Sequence, residues 1–250
     1  ISNNKLLFTS DNNCLIYKVL QEKKCWEPGI SKIYELLLNN INDVFIDIGS
    51  NIGYHAINAS RLLKNGKVYA FEPQPEIYSY LLHNIELNEI QNIIPYNFCI
   101  GDKSQIVSLG PYNNFNTGDI SISNIETNRK AFCIDFEDLN LPGSKVIKID
   151  VQGYEYQVLT GLQNHIKVHK PFLIVELEDY QLLKFNQKPC DIIDILTKND
   201  YYVYLIKHES CYDTLCTHKC YTEHITKLFN IQKNDVRYCD LIEFMIVPEI

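Results

Sequence analysis

The chain has 250 residues, of which 46% are hydrophobic and 22% charged, and its formal net charge is −8. This composition is that of an ordinary globular protein, and the length is sufficient for the core of one α/β domain. Nucleic-acid binders cluster Lys and Arg, so the acidic balance makes a nucleic-acid partner unexpected. No apolar run approaches the roughly 18 residues that cross a bilayer, so no membrane partner is expected either.

The beginning of the chain shows no targeting signal, because residues 1–10 lack a basic region followed by an apolar block. The only methionine is Met245, so we expect a trimmed protein or a domain of a longer polypeptide. The nine cysteines are odd in number, and Cys99 and Cys133 fall in apolar runs. We therefore expect mostly reduced thiols and a cytoplasmic location.

From residue 30 onward, short apolar runs alternate with helical patterns. Periodicity predicts helices that include residues 31–38, 58–63, 77–85, 154–166 and 191–196, and strands at 44–48, 67–71, 93–100, 145–149, 171–177, 201–206 and 241–247. This alternation predicts an α/β fold, with helices on both faces of a seven-stranded, mostly parallel sheet whose last strand runs antiparallel. No repeat or linker is present, so we expect a single domain over residues 1–250, with residues 1–40 leading into the sheet.

Two segments interrupt the alternation, and both are expected to flank a substrate pocket at the edge where the strands end. Residues 105–135 are rich in Asn, Gly and Ser with short β-like pieces, which predicts an inserted hairpin or loop. Residues 207–240 contain several Cys and His residues. The spacing of Cys211, Cys216, His218 and Cys220 fits no standard zinc finger, so a Cys-rich loop is favoured over a zinc site.

The first motif is Asp-Ile-Gly-Ser-Asn-Ile-Gly, which begins in the strand at 44–48 and opens a helix. Its glycines allow a sharp turn and the close approach of a ligand, and the free N–H groups of the helix can hold an anion. The third glycine of a dinucleotide-binding turn is absent, and the acid before the turn suits a positively charged ligand. Such turns also arise from packing alone. The candidate cofactor residues here are Asp47, Gly49, Ser50, Asn51 and Gly53.

Acidic residues also follow the next two predicted strands. Glu72 and Pro73 end the strand at 67–71, where a carboxylate can accept both hydroxyls of a ribose. A solvated acid at a strand end is the alternative explanation. Asp102 follows the strand at 93–100, where the base of a nucleoside would lie, although a Gly-Asp turn explains it equally well.

A further motif, residues 147–155, places charge in a strand that is otherwise apolar. Lys148 and Asp150 lie on the same side of this strand. Asp150 falls at its carboxyl end, where open α/β sheets bind ligands, and Glu155 follows in the first helical turn. Charge in a buried strand is costly unless it is paired, so the motif indicates a functional site.

Together with Trp26-Glu27-Pro28 and residues 133–139 and 172–176, these motifs resemble the FkbM family of methyltransferases over about residues 25–206. The resemblance implies a class I methyltransferase, Rossmann-like fold, S-adenosylmethionine as cofactor and S-adenosylhomocysteine as product. It further implies O-methylation of a hydroxyl on a sugar, glycan or small-molecule acceptor. The cofactor and active-site roles that it implies fall on Asp47, Gly49, Asn51, Gly53, Glu72, Asp150 and Glu155. Gln152 and His55 depart from the family pattern, which leaves the acceptor and the catalytic base open.

A neutral hydroxyl is a poor nucleophile, and a positioned base would accelerate its reaction by roughly 10²–10⁴-fold. The candidates for this base, in order, are Asp150, Glu176 and His55, and His55 is equally well explained as a core histidine. Lys148 and Glu155 are the other candidate catalytic residues. Acids at 150, 176 and 178 could instead share a divalent cation, which is the less favoured hypothesis.

Two other functions fit part of the pattern. An RNA ribose 2′-O-methyltransferase would also use Lys148, Asp150 and Glu155 around a hydroxyl, but the acidic charge disfavours it. A non-catalytic, methyltransferase-like binding scaffold would have no affinity for the cofactor. An NAD-dependent oxidoreductase is disfavoured by the missing third glycine.

Overall fold

The computed structural model of the protein describes residues 8–11, 14–112, 121–207, 212–221 and 241–242. The helices are α1 (Leu15–Lys23), α2 (Pro28–Leu37), α3 (Tyr54–Leu62), α4 (Pro75–Leu87), α5 (Glu155–Gly161), α6 (Gln163–His169), α7 (Asp179–Leu182) and α8 (Pro189–Lys198). The strands are β1 (Val44–Ile48), β2 (Lys67–Phe71), β3 (Ile93–Tyr96), β4 (Cys99–Gly101), β5 (Gln105–Leu109), β6 (Ile122–Ser123), β7 (Lys130–Asp135), β8 (Val146–Ile149), β9 (Phe172–Glu176), β10 (Tyr201–Lys207), β11 (Tyr212–His218) and β12 (Leu241–Ile242).

The main sheet has the strand order β12-β10-β11-β9-β8-β1-β2-β3. Of its described strands, only β11 runs antiparallel to its neighbours β9 and β10. The predicted α/β fold, with a mostly parallel sheet and one antiparallel strand, is confirmed. Seven of the strands form the expected sheet, and the two-residue β12 extends its edge.

The position predicted for the antiparallel strand was wrong. Residues 241–242 pair in parallel with β10, while the antiparallel strand is β11, inside the segment 207–240 that was expected to be an insertion. The polar residues of β11 conceal it in the sequence. They are buried because they find partners in the sheet: the Thr214 hydroxyl, for example, donates to the Val175 carbonyl at 2.9 Å. Residues 243–247 lie outside the described part.

Helices cover both faces of the sheet, which is why its central strands are continuous apolar runs. Alternate residues of β1 face opposite layers. Phe45 packs in one hydrophobic cluster with Ile33 of α2 and Ala56 of α3. Ile46 packs in the other cluster with Val158 of α5. The sheet is therefore the middle layer, and its polar strand ends are concentrated at one edge.

After β3 the chain passes from the main sheet into a second sheet, of order β4-β7-β5-β6. The strand predicted at 93–100 is therefore two strands: Ile93–Tyr96 pairs with β2, whereas Cys99–Gly101 pairs with β7. Asn97 lies at the break, and its side-chain amide donates to the Glu72 carbonyl at 2.9 Å. The predicted hairpin within 105–135 is confirmed by the antiparallel pairing of β5 with β6 and β7.

The N-terminal residues pack beside the edge of the sheet at which β1, β2, β8 and β9 end. Asn84 of α4 holds this segment in place, since its amide donates to the Thr9 carbonyl and its carbonyl oxygen accepts from the Thr9 N–H. Leu15 and Ile16 of α1, together with Trp26, thereby line a cavity at this edge, which is described below. Within the described parts of the chain, we find no helix with the length and apolar character to span a membrane.

Candidate active site

A cavity of about 310 Å³ lies at the carboxyl ends of β1, β2, β8 and β9, where an open α/β sheet is expected to bind ligands. Seven of the residues proposed from the sequence line it: Gly49, Asn51, Glu72, Pro73, Asp150, Glu176 and, from the metal hypothesis, Glu178. The N-terminal segment and the second sheet form opposite walls, to which Trp26 and Ile122 contribute.

The glycine turn allows two loops to approach each other closely. Gly49 has a φ of +89°, and a Cβ atom added there would lie 1.8 Å from the Asp150 carbonyl oxygen. Gly53 has a φ of +90°, but its added Cβ would meet Leu81 of α4, so this glycine serves helix packing. The Ser50 hydroxyl donates to the Asp47 carbonyl at 2.8 Å and closes the turn. Ser50 and Gly53 thus shape the turn without lining the cavity.

Glu72 is a buried acid that faces the cavity from the end of β2. Its Oε2 accepts the Asn51 N–H at 3.0 Å and its Oε1 accepts the Gln74 N–H at 2.9 Å. Burial raises the pKa of Glu72 to about 7. Each carboxylate oxygen has two lone pairs, so each can accept one further hydrogen bond from a ligand.

Asp47 does not line the cavity: it lies in β1 directly before the glycine turn and is only 1% exposed. Neither of its carboxylate oxygens has a hydrogen-bond partner among the described residues. Burial raises the pKa of Asp47, although the positive charges of Lys148 and His55 oppose that rise. An unpartnered buried carboxyl beside a cavity is a site that a ligand or an ordered water would satisfy.

A chain of polar contacts runs along the ends of β8 and β9. The Lys148 ammonium donates to Asp150 Oδ2 at 2.7 Å, and it is buried with that single described ion-pair partner. The Gln152 amide donates to Asp150 Oδ1 at 2.9 Å and to Glu176 Oε2 at 2.7 Å. Gln181 donates to the Gln152 carbonyl oxygen at 2.7 Å. The side chains at 148, 150 and 176, proposed separately from the sequence, therefore belong to one network.

The charges in this network are uneven. Burial opposes ionisation of Asp150, but the neighbouring Lys148 ammonium and the hydrogen bonds outweigh it and lower the pKa of Asp150 to about 2. Burial and the negative charge of Asp150 hold the pKa of Glu176 well above its ordinary value. Burial also opposes the charge on Lys148, yet the surrounding carboxylates raise its pKa. Asp150 and Lys148 therefore form a charged pair, whereas ionisation of Glu176 is disfavoured.

Glu155 supports the backbone and does not line the cavity. Its Oε1 accepts the N–H groups of Val151 and Gly153, at 3.2 and 3.1 Å. These bonds hold a turn in which Gln152 and Gly153 have φ values of +55° and +106°. Burial raises the pKa of Glu155 to about 7. Lys148 and Asp150 therefore form the charge pair beside the site, and Glu155 is not part of it.

His55 also lies behind the cavity wall. Its Nδ1 is 3.1 Å from the Tyr34 hydroxyl and its Nε2 is 3.0 Å from Glu27 Oε2. Glu27 lines the cavity, and we did not single it out from the sequence as a site residue. The signal was present, because Glu27 belongs to the Trp-Glu-Pro segment that resembles the family.

Asp102 is exposed and does not reach the cavity. The expectation assumed one straight strand from 93 to 100, but the chain turns into the second sheet before this residue. Cys99 and Ile100 line the cavity on that side instead. An apolar wall of this kind suits the flat face of a nucleoside base.

Neither metal hypothesis finds a ligand cluster in the described parts of the chain, where no three His, Cys, Asp or Glu side chains are grouped to hold an ion. Glu178 lines the cavity near Glu176, without forming such a group. Cys216 is buried in β11, and His218 packs edge-on against Tyr201 with ring centroids 5.5 Å apart. Residues 211, 224 and 239 lie outside the described ranges.

The topology is that of the class I methyltransferase, Rossmann-like fold. Solved structures that share the fold include methyltransferase FkbM from Methylobacillus flagellatus KT, at 18% identity and a TM-score of 0.51, over 84% of this chain and 56% of that chain. A SAM-dependent O-methyltransferase from Thermotoga maritima is similar at 11% identity and a TM-score of 0.53, over 82% and 71%.

Residues 47–203 match the family described as Methyltransferase FkbM domain, and the chain belongs to that family. The hexuronic acid methyltransferase AglP of Haloferax volcanii is 31% identical over 155 residues, which are 60% of this chain and 62% of that protein. A tRNA(Phe) (4-demethylwyosine(37)-C(7)) aminocarboxypropyltransferase of Methanocaldococcus jannaschii is 41% identical over 82 residues, or 32% and 33%. The matches therefore span less than two thirds of either relative's length.

S-adenosylmethionine is the cofactor of this class of methyltransferase, and the residues present fit it. Gly49 lines the cavity, and its lack of a Cβ lets the backbone of Asp150 pack directly against the turn, which brings the ends of β1 and β8 together at the site. Glu72 offers two acceptor oxygens side by side. The carboxyl of Asp47 does not line the cavity, so its effect on the positive sulfonium and ammonium groups would act through the turn and not by contact.

Proposed function

We propose that the protein transfers a methyl group from S-adenosylmethionine to a hydroxyl oxygen of a sugar, glycan or small-molecule acceptor. The observation that carries the proposal is the buried Glu72 carboxylate, which faces the cavity beside the glycine turn. An acid at the tip of the second strand is positioned to accept the two hydroxyls of a ribose. The hexuronic acid methyltransferase relative supports a sugar acceptor.

The cofactor would lie along the strand ends in a definite direction. Glu72 would hold the ribose, and Cys99 and Ile100 would contact the base on the side of the second sheet. The backbone at Gly49 and Asn51 would follow the amino-acid portion toward Asp150. Asp47 would counter its positive charge from below. When bound, this cofactor supplies an electrophilic methyl group on a sulfonium.

The residues beyond Asp150 would bind the acceptor. Lys148 and Gln152 hold both carboxylate oxygens of Asp150 in place, so this side chain can orient a hydroxyl by accepting its hydrogen bond. Fixed orientation of two reacting groups supplies much of the rate in such displacements. The low pKa of Asp150 makes it a weak base toward a neutral hydroxyl, and ionisation of Glu176 is disfavoured. Asp150 would accept the hydroxyl proton only as the oxygen gains positive charge during methyl transfer. Their main contribution is therefore positioning.

We also propose that the chain is one domain over residues 1–250 in which the segments 105–135 and 207–240 wall the acceptor side. Ser121 and Ile122 of the first segment line the cavity. From the second segment, Asp213 of β11 pairs with Glu176 in the sheet register. Both segments thus approach the strand ends at which the acceptor would bind.

RNA methylation is a second candidate, because a mouse tRNA (guanine(37)-N(1))-methyltransferase is 37% identical over 91 residues, which are 35% of this chain and 17% of that protein. The cavity disfavours a phosphate backbone, since five carboxyl side chains line it: Glu27, Glu72, Asp150, Glu176 and Glu178. A sugar hydroxyl remains the better-supported acceptor.

Two measurements test the proposal. Calorimetric titration with S-adenosylhomocysteine should show one site in the native protein and a strong loss of affinity in Glu72→Ala. Labelled S-adenosylmethionine should then transfer its methyl group to a member of a panel of neutral and acidic glycosides, and not to tRNA. A protein that fails to bind S-adenosylhomocysteine would be a scaffold, and methylation of tRNA alone would establish the alternative.

A further inference from the structure

Glu27 lies outside the residues that match the family, yet its side chain lines the cavity and is only 9% exposed. It directly precedes α2, whose first residue is Pro28. Its φ is +44°, in the left-handed region that residues other than glycine rarely adopt. Strained backbone of this kind concentrates at ligand-binding positions.

Two buried side chains hold the Glu27 carboxylate in place. Burial raises the pKa of Tyr34 well above its ordinary value, so its hydroxyl keeps the proton and can donate to His55 Nδ1, 3.1 Å away. The other ring nitrogen, His55 Nε2, lies 3.0 Å from Glu27 Oε2 in an ion-pair contact. Tyr34 and Glu27 therefore hold the two ring nitrogens of His55, and His55 in turn fixes the position of the Glu27 carboxylate.

The Glu27 carboxylate is negatively charged at neutral pH. Burial opposes its ionisation, but His55 and Lys148 outweigh burial and lower its pKa, with Asp150 acting in the opposite sense. A charged carboxylate facing a cavity is costly unless a cation pairs with it. His55 contacts only Oε2 in the described structure, so the other oxygen, Oε1, can serve a ligand.

The order of groups along the sheet edge indicates which cation this is. Glu72 at β2 would hold the ribose, and the amino-acid portion of the cofactor would then extend past Gly49 at β1 toward Asp150 at β8. Glu27 contacts His55, which lies in the first turn of the helix that follows β1, so the carboxylate is on the β1 side of the site; its charge also acts on Lys148 and Asp150 at β8. The sulfonium is attached to the ribose, whereas the ammonium is at the other end of the amino-acid portion.

We propose that Glu27 binds the α-ammonium group of S-adenosylmethionine, with His55 and Tyr34 as positioning residues. The inference rests on the proposed binding of the cofactor at Glu72. It assigns to the N-terminal segment a specific contact with the cofactor, in addition to closing the cavity wall.

The test compares a ligand that carries the ammonium with one that lacks it. S-adenosylhomocysteine has the amino-acid portion, and 5′-methylthioadenosine does not. In Glu27→Gln, calorimetry should show S-adenosylhomocysteine binding weakened by about 10- to 100-fold, with 5′-methylthioadenosine binding unchanged. Tyr34→Phe should weaken S-adenosylhomocysteine by a smaller factor. Glu35→Gln is the matched control, because Glu35 lies on α2 with its side chain 53% exposed, and it should change neither affinity.

Three outcomes would overturn the proposal. An equal loss for both ligands in Glu27→Gln would show a structural role. Unchanged affinity of Glu27→Gln for S-adenosylhomocysteine would exclude the ammonium contact. If a further titration with S-adenosylmethionine then showed weaker binding, Glu27 would be assigned to the sulfonium. Failure of the native protein to bind either ligand would instead refute the proposed function. The midpoint of thermal unfolding of Glu27→Gln establishes that the variant is folded.

Discussion

Binding of the cofactor product should depend on pH through Glu72. Burial raises the pKa of this acid from 4.5 to about 7, which corresponds to about 3 kcal/mol of preference for its neutral form. Ribose hydroxyls donate hydrogen bonds, so they bind the ionised carboxylate better. The ligand must therefore expel the proton wherever Glu72 holds one, and binding weakens as the pH falls.

The size of this effect follows from the ionised fraction. With a pKa of about 7, Glu72 is ionised in about 9% of molecules at pH 6 and about 91% at pH 8. The affinity for S-adenosylhomocysteine should consequently fall about tenfold between pH 8 and pH 6. At pH 7, binding should release about half a proton.

Calorimetry in two buffers of different ionisation enthalpy measures both the affinity for S-adenosylhomocysteine and the number of protons released on binding. Glu72→Gln is the key comparison. This variant should bind S-adenosylhomocysteine more weakly than the native protein at pH 8, and its affinity should not show the fall between pH 8 and pH 6 that ionisation of Glu72 causes. Glu155→Gln is the second control, because Glu155 has a similarly raised pKa but does not line the cavity. An affinity that is constant from pH 6 to pH 8, or a pH dependence that persists in Glu72→Gln, would refute this reasoning.

Other substitutions test the packing of the site and the stability of the sheet. Gly49→Ala should lose S-adenosylhomocysteine binding and at least 1–3 kcal/mol of stability, because its Cβ would lie 1.8 Å from the Asp150 carbonyl oxygen. Gly29→Ala, in helix α2 where the added Cβ meets no described atom within 4 Å, should instead be stabilising by about 0.5–1 kcal/mol in denaturant unfolding. Lys148→Met should destabilise the fold by up to about 3 kcal/mol, because it leaves the Asp150 carboxylate, which is 28% exposed, without its ammonium partner, and adding Asp150→Asn should recover much of that loss. Burial, assisted by the charge of a nearby histidine, lowers the pKa of His165 to about 4, so the stability that it contributes above pH 6.5 should be lost toward pH 4, by at most about 1.4 kcal/mol per pH unit. Thermal unfolding of His165→Gln should show a smaller slope over that range, and an unchanged slope would contradict the assignment.

Local sequence patterns were sufficient for the main framework. The strands at Val44–Ile48 and Lys67–Phe71 and the helix over residues 77–85, within α4, were all predicted, because continuous apolar runs and a helical spacing of apolar residues report burial directly. The glycine turn and the acid at 72 were likewise recognisable, since close backbone approach restricts residue type.

Pairings between distant residues were not predictable in this way. β11 was mistaken for an insertion because Thr214 and Asp213 resemble loop residues until their sheet partners are known. Asp102 was expected at the pocket because residues 93–100 were taken as one straight strand. The chain instead changes direction at the break at Asn97.

The sequence by itself determined the class of fold, the edge of the sheet that binds and the residue types gathered there, because hydrophobic periodicity and turn chemistry act over a few residues. Only the tertiary structure decided the state of each charged group. The pKa of Asp150 is lowered and that of Glu176 is raised because Lys148 contacts the first, whereas burial and the negative charge of Asp150 act on the second. Protonation depends on burial and on charges a few ångströms away, and those neighbours come from distant parts of the chain.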